Sequence, residues 1–131
     1  MDSRENESCV NWASAMEAVR GDHDLLLELI DAFLKDSPLQ LEALRVAIRD
    51  GDFPTARRAA HTLKGNSRYF GANALVAVAL ELEEQARREA VTNPEELLEK
   101  LAGMLENLTS SLLDYLKLEG SKVNVNDHDR R

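Results

Sequence analysis

The chain is poor in aromatic residues and contains a single cysteine. Aromatic residues make up 5% of its 131 residues, and Leu and Ala dominate a hydrophobic fraction of 44%. This balance favours helices over sheets, because Ala and Leu lose little entropy in a helix and sheets prefer β-branched and aromatic residues. Cys9 cannot form an internal disulfide and is not a metal cluster by itself. The length fits one compact domain.

The sequence also lacks a positive net charge and any long apolar run. Its formal net charge is −8, whereas binding to nucleic acid requires a basic surface. No apolar stretch approaches the ~18 residues that a membrane-spanning helix needs. The polar start at residues 1–5 does not resemble a signal peptide. We therefore predict a cytoplasmic protein that binds neither nucleic acid nor membranes.

Apolar residues recur at helical spacing through most of the chain, and no segment alternates with period two. Ser37 and Pro38 interrupt the longest such stretch, so that either a new helix starts there or a long helix kinks. Capping residues and glycines divide the rest. The predicted helical stretches are 10–19, 22–51, 52–70, 72–90 and 93–117. They predict an all-α fold, an antiparallel four-helix bundle with one or two short N-terminal helical segments packed against it.

The domain organisation follows from where this helical pattern begins and ends. We expect the bundle to occupy residues 10–118. Residues 1–9 and 119–131 are polar and are predicted to be disordered.

One helix places a histidine away from its apolar face. Counting about 100° per residue from Ala56, the apolar residues of this helix fall within roughly 60° and His61 falls roughly 140° away. His61 therefore faces solvent, with Arg57, Lys64 and Arg68 on the same side. These cations disfavour a charged imidazolium and can stabilise an anion beside a neutral, nucleophilic ring. On geometry alone, a plain solvated helix face remains the alternative.

Gly65 lies on the same side of this helix, at i+4 from His61. A glycine inside a helix costs about 1 kcal/mol relative to alanine. Its lack of bulk lets the backbone of another protein approach closely, although internal packing would explain it equally well.

These residues resemble the motif of the histidine phosphotransfer (HPt) domain family. Residues 61–65 read His-Thr-Leu-Lys-Gly and are followed by two small or polar residues, as in the family's His-x-x-Lys-Gly motif. The resemblance extends over the flanking segments 21–26, 33–44 and 70–75 and to the Leu-Glu pair at 82–83. It covers about residues 10 to 90. Asn66 departs from the family pattern, in which Ser or Ala is commoner.

The resemblance implies a role for each matching residue. His61 would accept a phosphoryl group on Nε2, and Lys64 would contact the phosphoryl oxygens. Gly65 would give a partner protein clearance, and Glu83 would orient the imidazole. Arg57 and Arg68 are not part of the motif, but their place beside His61 on the helical count makes them candidates for contact with the partner.

Two exposed apolar candidates lie on the following helix. Val76 and Leu80 point about 100° and 140° away from the core direction set by Leu75. They either line a patch that meets the partner or pack against the N-terminal helix, and the sequence leaves both interpretations open.

The resemblance further implies a phosphorelay intermediate, which accepts the phosphoryl group from the aspartyl phosphate of one receiver domain and passes it to another. Its partners would be receiver domains and an upstream hybrid histidine kinase, and we expect a monomer. No cofactor or metal is expected on this chain, because the Mg²⁺ ion belongs to the receiver. No nucleotide-binding motif is present, so we expect a phosphocarrier and not an ATP-dependent kinase.

Three other functions could produce a similar sequence pattern. A phosphotransfer module of a chemotaxis-type kinase shares the fold and motif and remains an alternative. A scaffold that binds receivers without carrying phosphate is a second. The dimerisation domain of a histidine kinase is disfavoured, because it would normally have Glu or Asp directly after the histidine, where Thr62 stands.

Overall fold

The computed structural model describes the backbone of residues 9–129 and the side chains of residues 9–119, and this part of the chain is helical throughout, apart from short turns. The helices are α1 (Trp12–Ala18), α2 (His23–Asp50), α3 (Phe53–Arg68), α4 (Asn73–Arg87) and α5 (Pro94–Asp129). Helices α2 to α5 form the four-helix bundle, and α1 packs against α2. The predicted fold class is therefore confirmed, with one short N-terminal helix. No helix in the described part is long and apolar enough to cross a membrane.

Side-chain caps set the starts of the first three helices. Asn11, Asp22 and Asp52 each accept a hydrogen bond from the backbone N–H three residues later, at 3.1 to 3.3 Å. Each bond satisfies one of the N–H groups that a helix start leaves without an intrahelical partner. At the other end of α2, Gly51 adopts a left-handed φ of 73°, which glycine reaches without steric cost.

The long helix α2 passes through Pro38 without ending. Proline cannot donate a backbone hydrogen bond, so a helix interior loses one bond there. The hydroxyl of the neighbouring buried Ser37 donates to the carbonyl of Phe33. The structure thus excludes a new helix starting at Pro38.

The core lies where α3 packs against its neighbours through small residues. Ala56, Ala59, Ala60, Leu63 and Ser67 form its buried face, as the helical count predicts. Alanines allow α4 to pack closely against this face. Above it, the rings of Phe33 and Phe70 meet edge to face with centroids 5.4 Å apart.

The residues that α5 buries are not all those that its sequence spacing predicts. That spacing predicts a buried seam along one side of the helix, formed by Leu97, Leu101, Met104, Leu108, Leu112 and Tyr115. The fully buried residues are instead Leu98, Leu101, Leu105, Leu108 and Leu112, and Leu97, Met104 and Tyr115 are only partly buried. The chain has adjacent apolar pairs at 97–98 and 104–105, and packing in the bundle selects the second member of each.

The C-terminal end of α5 also differs from the expectation of a disordered segment after residue 118. The backbone remains helical to Asp129. Up to residue 119 the helix contacts the rest of the bundle: Glu119 Oε1 lies 3.0 Å from His23 Nε2, and Tyr115 stacks on Trp12 with centroids 4.4 Å apart. Most of the predicted N-terminal disordered segment, residues 1–8, lies outside the described residues, as do 130–131.

Candidate functional site

His61 lies on the outward face of α3, as the helical count predicts. Its side chain is 65% exposed, whereas the adjacent Ala60 and nearby Leu63 are completely buried. The buried neighbours fix the rotation of α3, so the imidazole is held at the surface of the bundle by a rigid element.

The imidazole is oriented by a carboxylate on the next helix. His61 Nδ1 lies 2.8 Å from Glu83 Oε2. A carboxylate can only accept, so Nδ1 carries the hydrogen in this bond. In the neutral ring the lone pair is then on Nε2, at the opposite edge of the imidazole. The arrangement thus presents Nε2 as a nucleophile.

Lys64 does not stand in the solvent-facing row of cations that the helical count predicts. Its side chain is 13% exposed, and its Nζ lies 2.7 Å from Glu83 Oε1. The prediction was wrong about the ammonium group, because the flexible lysine stem carries that group from the surface of α3 to the carboxylate on α4. A mostly buried carboxylate needs such a partner, since an unpaired buried charge is costly.

Glu83 is held as an anion by these two neighbours. Burial alone raises the pKa of Glu83, but hydrogen bonds from Lys64 and His61 and the positive charge of both groups outweigh it. The pKa of Glu83 therefore lies below its ordinary value. At neutral pH the site contains a carboxylate that bridges an ammonium and an imidazole.

Gly65 lies on α3 one turn after His61, and nothing in the bundle requires it to be glycine. A Cβ built at this position meets no heavy atom within 4 Å. Internal packing therefore does not explain the glycine. The open space beside it is compatible with the close approach of another protein.

A surface pocket of about 470 Å³ opens on the N-terminal side of His61. It is lined by Pro54, Arg57, Arg58, His61, Thr62 and Glu83. Sequence reasoning identified Arg57 but missed Arg58, which lies at i−3 and could have been found at that spacing. Arg68 is exposed on the same helix but does not line the pocket.

The apolar candidates on α4 are only partly packed. Leu80 is 41% exposed, and Val76 is half-buried. The antiparallel pairing of His61 with Glu83 places residue 80 of α4 roughly level with residue 64 or 65 of α3, because both helices rise by about 1.5 Å per residue. Leu80 thus lies about one helical turn from His61, and its exposure favours an apolar patch there. Whether this patch meets a partner stays a prediction.

Asn66, the departure from the expected motif, forms a cross-link between helices. Its side-chain nitrogen donates to Asp36 Oδ2 on α2 at 3.1 Å. Serine or alanine could not span this distance in the same way. The substitution thus ties α3 to α2 next to the site.

Comparison with known proteins agrees with this geometry. A family model described as the Hpt domain matches residues 28–111. The chain is similar to the crystal structure of histidine-containing phosphotransfer protein B (HptB) from Pseudomonas aeruginosa PAO1, with a TM-score of 0.75 and 27% sequence identity over 82% of this chain and 93% of that chain.

A second solved structure shares the fold at lower identity. It is the HPT domain from the Hpt sensor hybrid histidine kinase from Shewanella, with a TM-score of 0.74 and 22% identity over 85% of this chain and 96% of that chain. No match to the sequence was found among the curated proteins. The family match spans more than half of the chain and includes the helix that carries His61. The chain therefore belongs to the Hpt domain family, the phosphocarrier modules of two-component signalling.

Proposed function

We propose that this chain is a phosphorelay intermediate that carries the phosphoryl group on Nε2 of His61. The observation that carries the proposal is an exposed imidazole whose Nδ1 is bound to Glu83 at 2.8 Å. That bond leaves Nε2 with a lone pair facing solvent. Membership of the Hpt family supplies the class of reaction.

The forward step is attack by this nitrogen on the aspartyl phosphate of a receiver domain. The Nε2 lone pair forms the N–P bond while the P–O bond of the acyl phosphate breaks, and the receiver aspartate leaves as a carboxylate. The ring keeps its Nδ1 hydrogen and becomes a phosphorylated imidazolium. Glu83 stabilises the positive charge that develops on the ring, and the reverse step transfers the group to the aspartate of a second receiver.

Alignment and charge neutralisation account for what the protein contributes to this step. Glu83 fixes the ring, and Lys64 keeps Glu83 ionised and so supports the phosphorylated state. The open space at Gly65 admits the partner backbone. The exposed Arg57, Arg68 and Leu80, with Val76, contact the partner.

The proposed partners are receiver domains and an upstream hybrid histidine kinase, with the chain acting as a monomer. The HPT domain of similar fold from Shewanella is described as part of such a kinase. The chain does not phosphorylate itself from ATP in this proposal, since all of the chemistry above starts from an existing acyl phosphate.

The test is transfer of labelled phosphate from a panel of phosphorylated receiver domains to the wild-type chain and to His61→Gln. A matched control is His23→Gln, which removes a different, partly exposed histidine. We expect acid-labile label on the wild type and the control but none on His61→Gln. Binding of receivers without any label would favour the scaffold. A second arm incubates the chain with a chemotaxis-type kinase and labelled ATP, and label in that arm alone would favour the chemotaxis module.

A further inference from the structure

The phosphoryl group on His61 has to be held by cations, and the structure separates the available cations into two groups. Lys64 is bound to Glu83 through a contact of 2.7 Å and is mostly buried. Arg57 and Arg58 are exposed and line the pocket beside the ring. Lys64 is not among the residues that line this pocket.

The direction of the His61 side chain places its ring over the turn that carries the two arginines. In an α-helix, Cα–Cβ bonds tilt towards the N-terminus, so a side chain covers the turn that precedes its own Cα. For His61 that turn contains Arg57 and Arg58. Glu83, which also lines the pocket, holds Nδ1, so Nε2 is the nitrogen left to carry a phosphoryl group.

The two arginines can also bind an anion without giving up a strong partner. Among the side chains that the structure describes, neither forms an ion pair, and Arg58 donates to the neutral hydroxyl of Thr55 at 3.2 Å. The pKa of the Asp52 carboxyl group at the start of α3 is lowered mainly by hydrogen bonds from Thr55 and in smaller part by the positive charge of Arg58. Lys64, in contrast, would have to leave the mostly buried Glu83, and leaving a buried carboxylate without its cation is costly.

We propose that Arg57 and Arg58 bind the phosphoryl oxygens of phosphorylated His61, and that Lys64 is a positioning residue that acts on the ring through Glu83. This rests on the proposed function, because it assumes that His61 is the phosphorylated residue. The planar guanidinium groups suit this task, since they form paired hydrogen bonds to phosphate oxygens.

The test measures the pKa of the phosphoryl group itself, by ³¹P NMR titration of the full chain after loading with phosphoramidate. In that reaction Nε2 forms the N–P bond and the P–N bond of phosphoramidate breaks, with ammonia leaving after uptake of a proton. No receiver is needed. A failure of relay function and a failure of this inference are therefore distinguishable.

We expect Arg57→Ala with Arg58→Ala to raise the phosphoryl pKa by about 0.5 to 1 pH unit, because a nearby cation favours the dianion and solvent screens part of the effect. Lys64→Ala should change it by less than half as much and should instead raise the pKa of Glu83. Arg45→Ala, which removes one exposed arginine of α2 outside the pocket, is the control for the loss of a surface charge and should leave the phosphoryl pKa unchanged.

A phosphoryl pKa that responds to Lys64→Ala more than to the double arginine variant would overturn this inference and leave the proposed function intact. A folded chain whose His61 accepts no phosphoryl group from phosphoramidate would overturn the proposed function, and this inference with it.

Discussion

Replacing Glu83 by glutamine tests the centre of the site with almost no change in volume. The amide oxygen can still accept from Nδ1 of His61, but its negative charge is gone. Lys64, whose side chain is only 13% exposed, then loses its anionic partner. The variant therefore separates the geometric role of the side chain from the electrostatic one.

The expected magnitudes follow from burial. Breaking a fully buried ion pair costs about 3–5 kcal/mol, and here the imidazole is mostly exposed while the lysine is not. We expect a loss of about 1–2 kcal/mol in the free energy of unfolding, below that range. For transfer, losing the carboxylate beside a developing imidazolium should raise the barrier by about 1.4–2.8 kcal/mol, a tenfold to hundredfold slower rate.

The pH dependence of stability gives a second signature with a fixed sign. The pKa of Glu83 is depressed in the folded chain, so its stabilising effect is present above the unfolded value of 4.5 and is lost as pH falls through the folded pKa. The difference between wild type and Glu83→Gln in urea unfolding should therefore stay constant from pH 7 to about pH 5 and shrink below pH 4.5.

The assay is rapid-quench transfer of label from a receiver, paired with urea unfolding of both proteins. Glu83→Asp is the control that keeps the charge and shortens the reach. Transfer by Glu83→Gln at the wild-type rate would refute the electrostatic role. A stability difference that persists unchanged at pH 3 would refute the ion pair as its source.

Three further variants test the surface around the imidazole. Gly65→Ala should raise the free energy of unfolding by about 0.5–1 kcal/mol, because the added Cβ meets no heavy atom within 4 Å and alanine is the better helix former. The same variant should slow transfer from receivers, and an unchanged transfer rate would argue against the clearance role of Gly65. His61→Ala should abolish transfer and unfold cooperatively within about 0.5 kcal/mol of wild type in urea, so a lost transition would contradict the surface position. Leu80→Glu should weaken receiver binding in calorimetry without lowering stability, because the residue is 41% exposed, and a destabilised chain would mean that Leu80 packs inside the bundle.

Counting along one helix was sufficient to place His61 correctly. Its exposure depends only on the rotation of α3, which the small apolar residues fix by their own spacing. The same count was misleading for α5, where neighbouring apolar residues such as Leu97 and Leu98 both lie on a broad apolar face. Contacts with other helices decide which of them is buried, and a single helix contains no information about those contacts.

The Glu83 bridge shows a different limit of sequence reasoning. Residue 83 is 22 positions from His61, and only the register between α3 and α4 brings them together. The expectation that Glu83 orients the ring came from family resemblance and not from spacing. Its contact with Nδ1 agrees with that expectation, while its contact with Lys64 was not foreseen.

Helical counting locates Cβ atoms, whereas the chemistry here depends on charged groups several bonds further out. Lys64 begins on the solvent side of α3 and ends on a mostly buried carboxylate of α4, because a long stem lets the charge settle where desolvation makes it most valuable. Arg57 and Arg58 have no such carboxylate among the described side chains and remain at the pocket. Glu83 is the only buried acidic side chain among the described residues. Its contact with Lys64 explains why this cation of α3 fixes the ring, while Arg57 and Arg58 remain available to an incoming anion.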